Sequence, residues 1–464
     1  MRKIDIIYPN LIALLNNLTI DGASFAAFHD ALDEEGQNKL IDISEKIATE
    51  KREITKTQLR REFYPDFTNL LDFLTEYNDS FSTFPNFRKT EIVAIISIIQ
   101  KLTTEFGGTD TLNLEEEVAV EDFEIVEMNE DIVQDNFLHF DTIDMTHSLF
   151  LFNINKSTEF KNYIDSISSG VHILYHLLSK LGSAAAPLNA PKYVLVKSTF
   201  SAKPKIVWAT LCLHIIKNGE IIHNSYEYLS PPAIPATYII SLGKNYQQFS
   251  DSLGIISEYN YQKDILDKYL RIYHVFENFM YKSPLVKLER DSSGEVFSIR
   301  DFKRMYDRIN DSEINMLKKL FETVLALEHT PGQTFNVKIL NRWTGLIPGS
   351  FVDTVKVNYL IDVLNIKTGK GNTILHGDIT ADTLPHFFAK LVYAFRNSMV
   401  HNRETEFHLT HQTLLNHHVI GNAALIVLEN FLLPILEDIV FYLIINENTI
   451  VWYDNAILKL WDKD

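Results

Sequence analysis

The chain has a single cysteine, Cys212, in 464 residues. No disulfide can form within it, so its stability must come from burial, as suits a reducing, cytoplasmic setting. Glycine (17) and proline (14) are also scarce, which excludes a fibrous, loop-rich or low-complexity chain. The first residues also carry no secretory pattern, so secretion is not expected. Met1 to Ile20 has no basic stretch followed by an apolar one, and Asp5 and Asn16-Asn17 interrupt it. The most apolar stretch, 423–451, is interrupted by Glu429, Glu437 and Asp438 within the roughly 20 residues that a bilayer requires. It reads as a buried helix, so no membrane partner is expected.

Positive charge is absent from one long segment. Residues 102–155 contain no Lys or Arg but 14 acidic residues, in a chain of net charge −18. The remainder is therefore almost neutral. Such a balance argues against a protein that coats nucleic acid non-specifically. It leaves open an RNA partner bound through a local basic patch. The acidic segment reads as a solvated face, with room for a strand where Phe123 and Ile125 alternate with Glu124. A sharper reading is a nucleic-acid mimic or an inhibitory lid over a basic groove.

Apolar residues make up 46% of the chain, with 30 Phe and 20 Tyr, ample for a folded core. The pattern predicts a mainly α (α+β overall) protein in three regions. Residues 1–105 are helical. Residues 106–235 join the acidic segment to a small β-containing region. Residues 236–464 form a helical domain. In the middle region, Lys205–Ile216 and Ile221–Tyr228 flank Asn218-Gly219, a hairpin signal because both residues tolerate positive φ. Cys212 then falls in a strand. Pro231, Pro232 and Pro235 mark the boundary.

Farther on, Ile265, Leu266, Tyr269, Leu270, Tyr273, Phe276 and Met280 recur at helical steps, with Pro284 closing the helix. Ser312–Leu327 is helical. A turn-rich stretch follows with Pro331, Gly332, Gly345, Pro348 and Gly349. The next helix starts at Asp382-Thr383 with Pro385 in its first turn. It runs through Phe387, Phe388, Leu391, Val392, Phe395 and Met399, and Asn402 stands where a left-handed cap fits. A last helix, about 422–445, is kinked or broken at Pro434.

The chemistry gathers at the end of the 382–402 helix, in the phrase Phe395-Arg396-Asn397-Ser398-Met399-Val400-His401-Asn402. Arg403 and His408 repeat the Arg-to-His spacing, so position and the Asn after Arg396 distinguish the first pair. The phrase and the helical region from roughly 255 to 450 resemble the HEPN superfamily. Its members are small helical domains, and many are metal-independent endoribonucleases. Their signature is an Arg followed after four to six residues by a His, often with a polar residue straight after the Arg. The resemblance does not reach residues 1–235.

It implies that Arg396, Asn397 and His401 are catalytic, with no cofactor and no metal. His401 serves as general base on the ribose 2′-hydroxyl or as general acid on the leaving 5′-oxygen. Arg396 neutralises charge on the phosphoryl oxygens, and Asn397 orients the phosphate or the imidazole. Some members place a Glu, with a basic residue soon after, in an early helix facing the cleft. Glu277 with Lys282 is the candidate here. On an ideal helix Arg396 and His401 stand about 140° apart. Family members often pair so that two motifs line one cleft, so a homodimer is expected. By analogy the protein is an anti-phage or toxin-type effector restrained by its N-terminal region.

Bland readings stand beside these. Arg396 can be a snorkelling surface residue with His401 as a cap, and Glu277 a polar-face residue. His408, His411, His417 and His418 cluster without a familiar metal-ligand spacing. Thr368–Thr373 lacks the ends of a phosphate loop and reads as a turn. The alternative function is a non-catalytic HEPN-fold protein that binds a nucleotide or a partner.

Overall fold

The computed structural model describes residues 1–106, 114–120, 122–128, 132–141, 145–167, 171–183, 187–232, 234–291, 298–347, 352–369, 371–400, 407–416 and 419–454. The chain forms two compact units, Met1–His223 and Asn224–Asp464. It is mainly α-helical with a small antiparallel sheet. Among the described residues no helix is long and apolar enough to cross a membrane.

The first unit opens with short helices and then α1 (Glu34–Arg60), α2 (Thr68–Phe81) and α3 (Lys89–Phe106). In α1 the Asp33 carboxylate caps the start by accepting from the Gly36 N–H, and Leu40, Ile43 and Ile47 make its buried stripe. The sheet follows, with β1 (Phe123–Met128), β2 (Phe137–His139) and β3 (Leu149–Phe152). Then come α4 (Val171–Lys180) and β4 (Lys192–Lys197), in strand order β1-β4-β3-β2 with every pairing antiparallel. Residues as far apart as Ile7, Ile95, Phe150 and Leu195 share one core. The helical start of the chain and the β region therefore fold together.

The acidic segment is tied into this unit. Glu116 pairs with Lys3 at 2.7 Å, Glu115 with Arg2 at 3.2 Å and also with Arg61, Glu124 with Lys180 at 3.0 Å, and Asp135 with Lys192 at 3.2 Å. Those carboxylates neutralise lysines and arginines that lie outside residues 102–155. Of the segment, 107–113, 121, 129–131 and 142–144 lie outside the described residues.

The hairpin expected at 205–228 is replaced by α5 (Pro204–Lys217), which also carries Cys212. The buried residues Val207, Leu211 and Ile215 recur every four positions, a helical and not a strand period. Gly219 has φ +80°. Its N–H bonds the Ile216 carbonyl at 2.9 Å, and the Glu220 N–H bonds the Ile215 carbonyl at 3.2 Å. This is the Schellman closure of a helix. Positive φ at Gly219 alone, with Asn218 at φ −80°, serves a helix end here, where a hairpin was expected.

The second unit is helical around one continuous core. Its main elements are α6 (Ile265–Asp291), α7 (Glu313–Leu325), α8 (Phe335–Gly345), α9 (Leu384–Val400), α10 (His411–Asn416), α11 (Ile420–Val427) and α12 (Leu433–Ile445). Pro284 does not close its helix but lies inside α6. The missing N–H and ring clash cost about 3 kcal/mol. Beyond it Val286 is buried and Arg290 donates to the Trp452 carbonyl at 3.0 Å, contacts that hold the last turns. The stretch expected to be turn-rich contains α8, capped by Thr334 and anchored by the fully buried Trp343. Ahead of Pro434 the chain makes a π-helical turn, Leu428–Leu432, which joins α11 to α12. Thr368 and Asn372 close a turn, with the Thr368 N–H donating to the Asn372 carbonyl at 2.8 Å.

Gly421 marks the tightest approach in this unit. A Cβ there would lie 2.1 Å from the Thr413 carbonyl oxygen and 2.7 Å from that of Leu414. Both are backbone atoms of α10, so α10 and α11 must move apart to admit a methyl group. We expect Gly421→Ala to lower stability by about 1–3 kcal/mol. Urea unfolding would show this as a lower midpoint at unchanged slope, and an unchanged midpoint would mean that the contact is not made.

Candidate functional site

Helix α9 positions the site by burying one stripe. Leu384, Phe387, Phe388, Leu391, Val392 and Phe395 face the core at three- and four-residue steps. Two helices clamp this stripe. On α7, Phe321 meets Phe388 edge-on at 4.8 Å. On α6, the buried Tyr269 donates to the Val392 carbonyl at 2.6 Å and its ring lies 6.1 Å from that of Phe395. Helices α7 and α9 run antiparallel, since Glu322 reaches His386 at one end and Glu313 reaches Arg396 at the other. The end of α9 thus lies against the start of α7.

Arg396 is held there, its side chain 20% exposed. One guanidinium nitrogen lies 3.6 Å from a Glu277 carboxylate oxygen of α6, and Nε lies 3.9 Å from a Glu313 oxygen of α7. A further N–H donates to the Asn397 side-chain oxygen at 3.1 Å. The guanidinium carbon sits 5.8 Å from the centre of the Tyr273 ring, within reach of a cation–π attraction. The Tyr273 hydroxyl donates to Glu313 at 2.6 Å, and His274 approaches Glu277 at 3.9 Å. Five side chains from three helices therefore enclose one arginine or its carboxylate partners.

The electrostatics are uneven. Burial pushes the Glu277 carboxyl above its ordinary range. His274 and Arg396 oppose that shift, while the charge of Glu313 and a shared hydrogen bond with it add to it. The cluster sets one guanidinium against two carboxyl side chains from other helices.

Of the residues expected from the sequence, the structure brings Arg396, Asn397 and Glu277 together. Lys282 does not join them. It stands five residues from Glu277, about 140° round the helix. Its ammonium donates to the Gln248 carbonyl at 2.6 Å and lies over the Phe249 ring at 3.8 Å. Burial there pulls its pKa down to about 7. His401 and Asn402 lie outside the described residues, as does Arg403. The chain on either side is fixed: α9 ends at Val400, and the Leu409 N–H bonds the Ser398 carbonyl at 2.7 Å. His411 pairs with Asp264 at 2.8 Å, whereas His417 and His418 fall outside the described residues.

Glu313 and Tyr273 were not singled out from the sequence. Tyr273 reads there as one more core residue of α6. Glu313 reads as an ordinary acidic residue in a first helical turn. The available signal was the one-turn step from Tyr273 to Glu277 on a single helix face.

Asn397 has a second neighbourhood. It lines a groove of about 800 Å³ with Ile314, Asp362, Lys367, Lys390, Tyr393 and Phe407. Asn397 thereby joins the arginine cluster to an open surface. Comparison of the chain with family models, curated proteins and solved structures gives no match.

A raised carboxyl pKa means that ionising Glu277 costs the folded state more than the unfolded one. Its contribution to stability is complete below the ordinary Glu pKa and is lost as pH rises through the higher folded value. Glu277→Gln should therefore unfold at an equal or higher temperature than wild type at neutral pH, with the difference closing as pH falls into the ordinary carboxylate range. Thermal unfolding across that range checks it. A variant less stable at neutral pH would show that the pairing with Arg396 outweighs burial.

Proposed function

We propose that the Asn224–Asp464 unit is a metal-independent endoribonuclease of the HEPN type. The observation that carries this reading is the setting of Arg396. The arginine of the Arg-Asn-x3-His phrase is gripped by carboxylates of two other helices beside Asn397. A snorkelling surface arginine has no need of such a setting. The carboxylates fix a planar guanidinium at the end of α9, and such a fork can take two oxygens of a phosphodiester in exchange for those partners.

The chemistry follows from these groups. The 2′-hydroxyl of a ribose attacks the adjacent phosphorus while His401 takes its proton or protonates the departing 5′-oxygen. Arg396 balances the charge gathering on the non-bridging oxygens, and Asn397 holds the phosphate or the imidazole in line. Glu277, with its raised pKa, supplies or accepts a proton next to Arg396. The products are a 2′,3′-cyclic phosphate and a 5′-hydroxyl. The reading includes a homodimer whose two motifs line one cleft, and a toxin-type or anti-phage role restrained by the Met1–His223 unit.

Cleavage of RNA by the purified protein tests it. Wild type should cut with or without chelator. His401→Ala should lose roughly 10²–10⁴-fold in rate, and Arg396→Ala about 10²–10³-fold. His408→Ala, which breaks the repeated spacing, should cut nearly as wild type. Intact RNA under all conditions, together with harmless expression in cells, would end the enzyme reading. Full activity of His401→Ala would end the site assignment, and loss with chelator would redirect attention to the histidines. A monomer by mass measurement would remove the shared cleft.

A further inference from the structure

The sheet of the first unit is covered differently on its two faces. Phe150, Phe152, Tyr193 and Leu195 point into the main core of that unit. Their strand neighbours Leu149, Leu151, Val194 and Val196 point the other way. They enter a small separate core that α5 closes with Val207, Leu211 and Ile215. Those three are the buried residues of α5.

Beside them, in the last turn of α5, stands a pair of half-buried histidines. His139 ends β2 two residues after the buried Phe137, and so lies on the α5 face of that strand. Its ring stacks on that of His214, with centroids 3.8 Å apart and planes at 24°. β2 is an edge strand of three residues. Few buried side chains and a short edge strand mark a segment that opens ahead of the rest. The α5 segment is also tied at both ends. Before it, the Ser198 N–H donates to the Asp122 carbonyl at 2.6 Å, and after it, the Val133 N–H donates to the Ile222 carbonyl at 2.8 Å. α5 can therefore lift from the sheet and return.

Two neutral imidazoles stack at this distance without penalty, whereas two imidazolium rings repel. The surroundings favour the neutral pair. Burial pulls both histidines below their ordinary range. For His139, Asp141 opposes this, while Lys217 and His147 add to it. For His214, the charges of His139, Lys217 and His147 all add to it. Burial pushes the Tyr163 hydroxyl, which bonds the Leu138 backbone of β2, up to about 12, and Glu220 adds to that. Tyr163 therefore brings no charge to the pair.

We propose that the His139–His214 stack is an acid-sensitive latch on α5. When both rings are protonated they part, α5 lifts, and the sheet face of Leu149, Leu151, Val194 and Val196 is uncovered. The direction follows from linkage. Both histidines take up protons more readily once α5 is open. The closed form is thus complete above the ordinary histidine value of about 6.5 and weakens as pH falls through it. The latch does not depend on the ribonuclease reading.

Hydrogen exchange on the full chain, read by mass spectrometry, tests it. Peptides from α5 are compared with peptides from α1, which lies outside the small core. Between about pH 7.5 and about pH 5.5, wild type should lose roughly tenfold of its protection in α5 after correction for the intrinsic rate, while α1 keeps its own. His139→Phe and His214→Phe each keep a ring for the stack and remove one of the two charges. Either variant should hold α5 protected across the range, and using both guards against one that fails to fold. Protection of α5 that does not change with pH in wild type would overturn the latch. So would a loss that the variants retain, which would place its origin in Asp141 or His147. An equal loss in α1 would be general acid unfolding and would overturn it too.

Discussion

The burial of one stripe on α9 is the constraint from which the candidate site follows. Phe387, Phe388, Leu391, Val392 and Phe395 are almost wholly removed from solvent. Each contributes about 1.5–3 kcal/mol on burial, far more than any single polar contact at the helix end. Rotating α9 about its axis to repoint Arg396 would expose several of these side chains together. The direction of Arg396 is therefore set by apolar packing. The ion pairs that receive it, at 3.6 and 3.9 Å, adjust to a position already imposed.

The carboxylates in turn depend on their own helices. Glu277 follows Tyr273 by one turn on α6, and Tyr273 is fully buried with its hydroxyl on Glu313. Tyr273 thus links the two acids that face Arg396. A partly buried arginine beside two carboxyls is a costly arrangement if all three are charged. The upward push on Glu277 relieves part of that cost by favouring its protonated form.

How much of this the sequence disclosed varied with the kind of signal. The α9 stripe was legible because a 3.6-residue period over 17 residues outweighs local ambiguity. Asn397 and Arg396 followed from it. The region 204–220 was misread because Ile, Val, Thr and Cys favour strands on average, and Asn-Gly closes hairpins and helices alike. Only the burial of Val207, Leu211 and Ile215 decides for a helix, and burial is a property of the fold. Pro284 was read as a stop because local chemistry disfavours it in a helix. Contacts from the distant Trp452 carry the chain through. Glu313 was beyond reach for a related reason: its importance arises from the antiparallel packing of α7 on α9, which no local pattern encodes.

Adjacent residues on a helix diverge by about 100°, and the site makes use of that divergence. Arg396 turns inward to the two carboxyls, whereas Asn397 turns toward the groove with Lys390 and Tyr393. A hydrogen bond of 3.1 Å between their side chains bridges the divergence. The Asn397 amide is thus in contact with the buried cation on one side and with the groove on the other. Replacing Asn397 by an aliphatic residue would keep both compartments and remove the link between them. A polar residue directly after the arginine therefore has a geometric reason: Asn397 touches both Arg396 and the open groove.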